Sequence, residues 1–296
     1  MKIAIASGKG GTGKTTIAVN LALSAAASGR PVTLLDCDVE EPNAHLFLKP
    51  AITGTEPVAV ARPRISAERC SGCGVCADVC EYHALSVMLG RILVFDELCH
   101  GCGACLLLCP EKAIAEQGHP VGAVEWGSSG DIRFVQGRLK IGEVMSPAVI
   151  RRVKERGGGA GLCIIDSPPG TSCPVVESVR GTDFVLLATE PTPFGHHDLT
   201  LAVEMVRALK IPFAVALNRS DAGNDEVLSY CRGEGIEILL SLPDDRRIAE
   251  RYARGEIDLA GLPGYGERFG HCLRQIAERV QDARGRAERE RRGDAA

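Results

Sequence analysis

A glycine-rich loop between an apolar run and a helical pattern constrains the fold of this chain more than any other segment. The loop reads GKGGTGKTT over residues 8–16 and follows the apolar residues 3–6. Ile17, Leu21 and Ala25 then fall on one face of a helix. Backbone N–H groups of such a loop turn toward phosphate oxygens, and the positive end of the helix favours the same anion. The segment therefore predicts an α/β domain that binds a nucleoside triphosphate.

Side chains within this loop predict its individual contacts. We expect Lys14 to reach the outer phosphates and the Thr15 hydroxyl to bind Mg²⁺. The loop residues predicted to surround the nucleotide are Gly8, Gly10, Gly11, Thr12, Gly13, Lys14, Thr15 and Thr16.

Further buried apolar runs predict a mostly parallel sheet, and two of them end in acids. Residues 32–35 lead into Asp36 and Asp38, and residues 162–165 lead into Asp166. In open α/β sheets, the carboxyl ends of the strands form the edge where ligands bind. The three carboxylates are therefore candidates for the nucleotide site, although Asp36 or Asp38 could instead cap a helix.

Cysteines dominate the middle of the chain. There are thirteen cysteines in total, and most of them form two runs of the pattern C-x2-C-x2-C-x3-C, in which the fourth cysteine binds the cluster of the other run. The ligands predicted for one [4Fe–4S] cluster are Cys70, Cys73, Cys76 and Cys109. The ligands predicted for the other are Cys80, Cys99, Cys102 and Cys105. Zinc is the competing metal, but structural zinc sites use four ligands in separated pairs.

The second lysine of the glycine loop points to a family. With Lys9 in place, GKGGTGKTT resembles the deviant phosphate loop of the MinD/ParA ATPases, which include the nitrogenase iron protein and the Mrp-type cluster carriers. The resemblance implies ATP and ADP as ligands, and a dimer in which Lys9 crosses to the nucleotide of the partner. The string from Asp36 to Asn43 resembles the second acidic motif of the family. It implies that Asp36 supports the Mg²⁺ shell and that Asp38 orients the attacking water.

Two later strings extend the resemblance. DSPPGT at residues 166–171 resembles the third family motif and implies that Asp166 holds a water on Mg²⁺ and that Gly170 contacts the γ-phosphate. Asn218 resembles the residue that binds the adenine edge, although Asp221 nearby would suit guanine. The identity of the base therefore rests on the resemblance alone. The residues to which these likenesses assign catalysis are Lys9, Lys14, Asp38 and Asp166.

The changes in character along the chain predict a discontinuous organisation. Residues 1–61 and 119–284 are predicted to form the P-loop ATPase domain, with a hairpin over residues 121–139. Residues 62–118 are predicted to form an inserted two-cluster ferredoxin-like domain, and the charged tail at 285–296 is predicted to fray. A net charge of −4 gives no general attraction to nucleic acid, and no apolar run reaches the ~20 residues of a membrane span. With no signal peptide recognised, we expect a cytoplasmic protein without nucleic-acid or membrane partners.

Three functions are compatible with these motifs. The first choice is an ATP-gated electron donor whose dimer changes act on two [4Fe–4S] clusters. The alternative is an Mrp-type carrier or assembly factor for metal clusters, and the third is a MinD/ParA-like positioning ATPase. Each implies a homodimer or a heterodimer with a related ATPase, and the first two imply a redox or cluster-accepting partner. Cys173 follows the third motif and could bind an additional shared cluster or be an ordinary thiol.

Overall fold

The computed structural model describes residues 1–159 and 161–293, which form one large sheet covered by helices on both faces. The strands are β1 Lys2–Ala6, β2 Val32–Asp36, β3 Ala51–Ile65, β4 Leu85–Met88, β5 Arg91–Val94, β6 Ile114–Ser129, β7 Ile132–Leu139, β8 Leu162–Asp166, β9 Phe184–Thr189, β10 Phe213–Leu217 and β11 Ile238–Ser241. The helices are α1 Lys14–Ala27, α2 Ala44–Leu48, α3 Val75–Asp78, α4 Ala104–Leu108, α5 Ser146–Arg156, α6 Cys173–Val179, α7 Pro193–Ala208, α8 Glu226–Gly233, α9 Arg246–Ala253 and α10 Tyr265–Gly293.

The main sheet has the order β11-β10-β9-β1-β8-β2-β7-β6-β3. Strands β11 to β7 in this order are parallel, and β6 and β3 complete the sheet as antiparallel neighbours. The inner parallel strands are apolar on both faces because helices cover both sides, and the two resulting cores lie on opposite faces of the sheet. The prediction of a mostly parallel α/β fold is therefore confirmed.

The hairpin predicted around residues 127–130 is also present. Strands β6 and β7 pair from Gly122 opposite Leu139 to Ser129 opposite Ile132. However, β6 begins well before this hairpin, at Ile114, because its first half pairs with β3 instead. Beyond the reach of β7, residues 59–65 and 114–120 form a two-stranded arm, which we call the ribbon.

The ribbon carries residues 66–113, which we call the cysteine-rich segment. This segment contains β4 and β5 as a separate two-stranded sheet, the short helices α3 and α4, and a small core of its own around Cys76, Leu85 and Cys105. The borders expected from the sequence, at residues 62 and 118, fall inside the ribbon.

The C-terminal helix packs one face against the sheet. Phe269, Cys272 and Ile276 are buried, as their helical spacing predicts. The sequence predicts fraying of the tail from residue 285, but α10 continues to Gly293. Residues 294–296 of the predicted tail lie outside the described residues. In the described part of the chain, no helix combines the length and apolar character needed to cross a membrane.

Candidate functional site

The glycine loop connects β1 to α1 at the carboxyl edge of the sheet. Gly13 occupies the N-cap position of α1 with φ of 87°, a left-handed conformation that favours glycine. A Cβ on Gly13 would lie 2.6 Å from the Nδ2 atom of Asn218. That nitrogen donates a hydrogen bond to the carbonyl oxygen of Thr12 at 3.2 Å. The fold thus brings Asn218, which follows β10, against the glycine loop.

Lys14 and Asp166 form the charged floor of the loop. Lys14 is 7% exposed, and burial lowers its pKa while Asp166 and Asp38 oppose that lowering. The Thr15 hydroxyl donates to Oδ2 of Asp166 at 2.6 Å, and Oδ1 of Asp166 is buried without a hydrogen-bond partner among the described residues. An unpaired buried carboxylate oxygen beside a hydroxyl is an arrangement of hard oxygen donors that suits Mg²⁺.

Burial makes all three acids unusually weak, and it raises the pKa of Asp36 well above that of a free aspartate. It raises the pKa of Asp166 to about 7, although the Thr15 hydrogen bond and Lys14 work against the rise. It raises the pKa of Asp38 to about 6, again opposed by Lys14. Both carboxyl groups are therefore placed to exchange protons near neutral pH when no cation is present.

Asp36 has a different environment from the other two acids. Its Oδ1 accepts from the backbone N–H of Asp38 at 3.1 Å, and its Oδ2 accepts from those of Asn43 at 3.1 Å and Ala44 at 3.0 Å. Both oxygens hold the turn between β2 and α2, and the side chain is fully buried. In this geometry Asp36 fixes the position of Asp38 and caps the start of α2. Helix capping is the alternative role considered for Asp36 in the sequence analysis.

A cavity of about 480 Å³ lies over the loop. Its lining residues are Gly10, Gly11, Gly13, Lys14, Thr15, Thr16, Asp38, Glu41, Asn43, Pro169, Asn218, Arg219, Leu242, Pro243, Asp244, Asp245, Ile248, Ala249 and Tyr252. The phosphate loop and Asp38 lie at one end, and α9 and the segment before it lie at the other. Tyr252, whose ring packs 4.8 Å from that of Phe47, was missed by sequence reasoning because α9 carries no motif.

The remaining predicted residues lie near this cavity without lining it. Gly170 donates its backbone N–H to the carbonyl oxygen of Ser7 at 3.0 Å, which ties the third motif to the glycine loop. Gly8 packs against α7, where a Cβ would lie 2.1 Å from the carbonyl oxygen of Asp198. Lys9 is half-buried, and Thr12 is buried.

The eight cysteines of the two runs line two separate cavities. One, which we call the hairpin-side site because Ile92 of the β4–β5 hairpin also lines it, is lined by Cys70, Cys73, Cys76 and Cys109. The other, which we call the ribbon-side site, is lined by Cys80, Cys99, Cys102 and Cys105. The fold thus groups the cysteines in the same two sets that the ferredoxin spacing predicts, each set combining three cysteines of one run with the fourth of the other. In the described part of the chain, no group of three or more His, Cys, Asp or Glu side chains converges as the ligands of a single metal ion do.

The surroundings of the cysteines fit thiolate ligands of a cluster. The backbone N–H of Ala84 donates to the Cys80 sulfur at 3.3 Å, and that of Ala113 donates to the Cys109 sulfur at 3.3 Å. These two cysteines hold the fourth position of their runs, so the same stabilising contact recurs in both sites. Amide donors to sulfur favour the charged thiolate over the thiol and are one means by which proteins adjust cluster potentials.

Comparison with known proteins supports the nucleotide site. A family model described as the CobQ/CobB/MinD/ParA nucleotide binding domain matches residues 3–259. This chain belongs to that family. The matched range includes the glycine loop, the acids Asp36, Asp38 and Asp166, Asn218 and the cysteine-rich segment.

Relatives and solved structures agree with the family. An uncharacterised protein of Methanocaldococcus jannaschii is 30% identical over 264 residues, covering 86% of this chain and 90% of that protein. An iron-sulfur cluster carrier protein of the same organism is 25% identical over 300 residues, covering 95% and 85%. The septum site-determining protein MinD of Pyrococcus horikoshii, solved with Mg-ADP, superposes with a TM-score of 0.58 at 18% identity, covering 96% of this chain and 97% of that chain. This last similarity shows the fold.

Proposed function

We propose that this protein is a Mg²⁺-dependent ATPase that carries or assembles iron–sulfur clusters for a partner protein. The observation that carries the proposal is the grouping of eight cysteines into two four-cysteine cavities on an arm of a MinD/ParA-type nucleotide domain. The family relatives named iron-sulfur cluster carrier proteins favour this function over the electron donor that the motifs alone placed first.

ATP hydrolysis at the glycine loop follows from the positions of the buried charges. Lys14 and the first N–H groups of α1 are placed to bind the phosphates. Thr15 and Asp166 would hold Mg²⁺, which would supply positive charge to the outer phosphates. Asp38 lines the cavity and, with a pKa of about 6, orients the attacking water and can accept its proton. The backbone N–H of Gly170 is hydrogen-bonded to Ser7 beside the glycine loop, so the position of Gly170 is expected to respond to the presence of the γ-phosphate. Lys9 does not line the cavity of its own chain, which leaves it available to the nucleotide of a second subunit.

The two cysteine cavities are proposed to hold one [4Fe–4S] cluster each, as an inserted ferredoxin-like domain does. A bound cluster supplies one-electron chemistry and iron–sulfide cargo. The protein residues supply the four thiolates of each site, the amide donors of Ala84 and Ala113, and an apolar wall that limits access of water. Transfer between partners then requires one end of a site to open, and Cys73 and Cys102 are the exposed ligands of the two sets.

Electron transfer is the second candidate, and a specific observation favours it. Each cavity already has a complete set of four cysteines, so neither cluster needs a ligand from a partner. Complete sets bind clusters tightly, which suits a resident redox centre better than a cargo.

An anaerobic transfer assay separates the two candidates. The cluster-loaded protein is mixed with an apo-protein acceptor in the presence of Mg-ATP, Mg-ADP or no nucleotide, and cluster arrival is followed by circular dichroism. A carrier transfers its cluster faster with Mg-ATP than without, and Lys14→Ala removes the acceleration. Retention of both clusters, together with an ATP-dependent shift of their reduction potentials, would instead favour electron transfer.

A further inference from the structure

Arg62 is a buried cation placed between the cysteine cavities and the nucleotide domain. It lies on the ribbon strand β3, and its side chain is 7% exposed. Its guanidinium donates to Oε2 of Glu143 at 2.8 Å and lies 3.9 Å from Oδ2 of Asp96. Glu143 belongs to the segment between β7 and α5, whereas Asp96 belongs to the cysteine-rich segment. Arg62 also lines the ribbon-side site, and its Nε–H has no acceptor among the described residues.

The two cysteine sites differ in what they pack against. In the ribbon-side site, the loop between Cys99 and Cys102 lies directly on the ribbon, because a Cβ on Gly101 would be 2.7 Å from the carbonyl oxygen of Ala61. In the hairpin-side site, the equivalent Gly72 packs on the β4–β5 turn, where a Cβ would be 2.4 Å from the carbonyl oxygen of Gly90. No basic side chain is found among the described residues that line the hairpin-side site. Ile65 and Ile114 of the ribbon also line the hairpin-side site, but Arg62 lines only the ribbon-side site, so its charge acts more strongly there.

A short connected segment joins Glu143 to the nucleotide site. The carbonyl oxygen of Val39, the residue after Asp38, accepts from the backbone N–H of Leu139 at 2.7 Å. Leu139 ends β7, and the chain reaches Glu143 four residues later. Glu143 also binds His119 of the ribbon, with Oε1 2.6 Å from Nε2. The hydrogen bond of Leu139 and the short stretch of chain after it thus connect the Asp38 turn to the carboxylate that partly neutralises Arg62.

We propose that Arg62 sets the reduction potential of the cluster in the ribbon-side site, and that Glu143 adjusts this effect according to the state of the nucleotide site. The proposal rests on the proposed function only in requiring resident clusters. A nearby positive charge stabilises the reduced, more negative cluster and raises its potential, whereas a nearby carboxylate lowers it. Removing Arg62 and removing Glu143 must therefore shift the potential in opposite directions.

Potentials of the single clusters test the proposal. In a Cys73→Ala background the ribbon-side cluster remains, and in a Cys102→Ala background the hairpin-side cluster remains. Each protein is titrated with dithionite at fixed potentials and followed by EPR. Arg62→Gln is expected to lower the reduced-to-oxidised ratio about tenfold in the Cys73→Ala background, as for a unit charge roughly 10 Å away in a partly buried site, and to leave the other background unchanged. Glu143→Gln is expected to raise the ratio in the first background only.

Matched controls separate this role from a structural one. Arg62→Lys keeps the charge and is expected to keep most of the potential, and Arg64→Gln removes an exposed arginine of the same strand and is expected to change neither cluster. If Arg62→Gln loses the ribbon-side cluster, the potentials measured for Glu143→Gln in the two backgrounds test the proposal without it. Equal shifts of both clusters, or no shift of the ribbon-side cluster in Glu143→Gln, would overturn the proposal. Absence of clusters from the unmodified protein would instead refute the proposed function.

The link to the nucleotide site has its own measurement. Mg-ADP and a non-hydrolysable Mg-ATP analogue are compared in the Cys73→Ala background, where the ribbon-side potential is expected to differ between the two nucleotides. The difference is expected to disappear when Glu143 is replaced by Gln, because the moving charge is gone. A nucleotide effect of the same size in both proteins, or none in either, would contradict the role of Glu143.

Discussion

Lys14 carries a positive charge into a site that is almost closed to solvent. Its side chain is 7% exposed, and the lowering of its pKa by burial shows that its charged form is held at a cost. Asp166 and Asp38 offset part of that cost, and phosphate groups would offset the remainder. The buried charge of Lys14 therefore destabilises the empty site and stabilises the site with bound nucleotide.

Replacement of Lys14 by alanine is expected to weaken nucleotide binding by about a hundredfold, since charge-assisted contacts contribute up to about 3 kcal/mol. Isothermal titration with Mg-ATP measures the change. Arg30→Ala, which removes an exposed cation at the other end of α1, is the matched control and is expected to bind normally. The absorption of the iron–sulfur clusters is expected to be unchanged in both variants, because the cysteine sites use separate segments. Loss of that absorption in Lys14→Ala alone would contradict this separation.

The weak acids Asp166 and Asp38 make magnesium binding depend on pH. Their pKa values of about 7 and about 6 in the folded protein exceed that of a free aspartate, so the folded chain binds protons that the unfolded chain releases. The free energy of unfolding of the empty protein is therefore expected to fall as pH rises from about 4 to 7. Mg²⁺ must displace these protons, so its affinity is expected to rise from about pH 5 to about pH 8 and to level off above.

Calorimetry in buffers of different ionisation enthalpy measures this proton release directly. At pH 6 the binding of Mg-nucleotide is expected to release protons, and at pH 8.5 to release almost none. Asp166→Asn is expected to reduce the release at pH 6 while leaving that from Asp38. Proton uptake on binding at pH 6 would contradict this prediction, because it would mean that the occupied site binds more protons than the empty one.

Individual side-chain roles were only partly predictable from the sequence. The positions of Lys14, Thr15 and Asp166 follow from motif spacing, because a strand–loop–helix unit places them in one way. The roles of Asp36 and Asp38 could not be separated, because Asp36 ends β2, Asp38 lies two residues later, and the sequence does not show where each side chain points. Only the structure shows that backbone N–H groups of the following turn occupy both oxygens of Asp36.

At the scale of elements, α1 anchors the segment that follows α9. Asn20 of α1 is 2% exposed, donates to the carbonyl oxygen of Ile257 at 2.8 Å and accepts from the backbone N–H of Leu259 at 2.8 Å. Since α9 borders one end of the nucleotide cavity and has no buried residue, this anchor helps to hold that end in place.

Asn20→Ala is expected to lower the free energy of unfolding by about 2 kcal/mol, because a buried carbonyl and a buried N–H both lose their partner. Urea denaturation of the empty protein measures the loss. Gln281→Ala, at an exposed position of α10, is the control and is expected to change stability by less than about 0.5 kcal/mol. Equal stability of the two variants would indicate that water or a shifted side chain replaces Asn20.

The elements that were hardest to predict lie at the edge of the sheet. The β6–β7 hairpin shows the alternation that a half-buried pair requires, and it follows from the sequence. Strand β3 does not, because it is paired on one side only and has buried residues only at Val58 and Arg62, with Gly54, Pro57 and Pro63 along it. Its strand character comes from pairing with β6, which is distant in the sequence, so no local pattern reveals the ribbon.

At the scale of the whole molecule, the ribbon makes the cysteine-rich segment an addition to a complete nucleotide domain. Ile65 and Ile114 face each other as the last pair of the ribbon, so the segment enters and leaves at one place. Its small core around Cys76, Leu85 and Cys105 is separate from the two cores of the main sheet. Arg62 of the ribbon connects the two parts, because it contacts Glu143 of the nucleotide domain and Asp96 of the segment.

Replacement of residues 66–113 by a two-residue Asn-Gly turn is therefore expected to leave a folded nucleotide domain, because the facing ends of the ribbon suit a tight hairpin. Mg-ATP affinity is expected to stay within about threefold of the full chain, since no residue of the nucleotide cavity is removed and threefold corresponds to less than about 1 kcal/mol. Iron–sulfur absorption is expected to vanish. Full-length Cys73→Ser, which keeps the segment and loses one ligand, is the control for absorption and should retain the ribbon-side cluster. If the shortened chain unfolds or loses ATP binding, the segment contributes to the stability of the nucleotide domain, and Arg62 then links two parts of one folding unit.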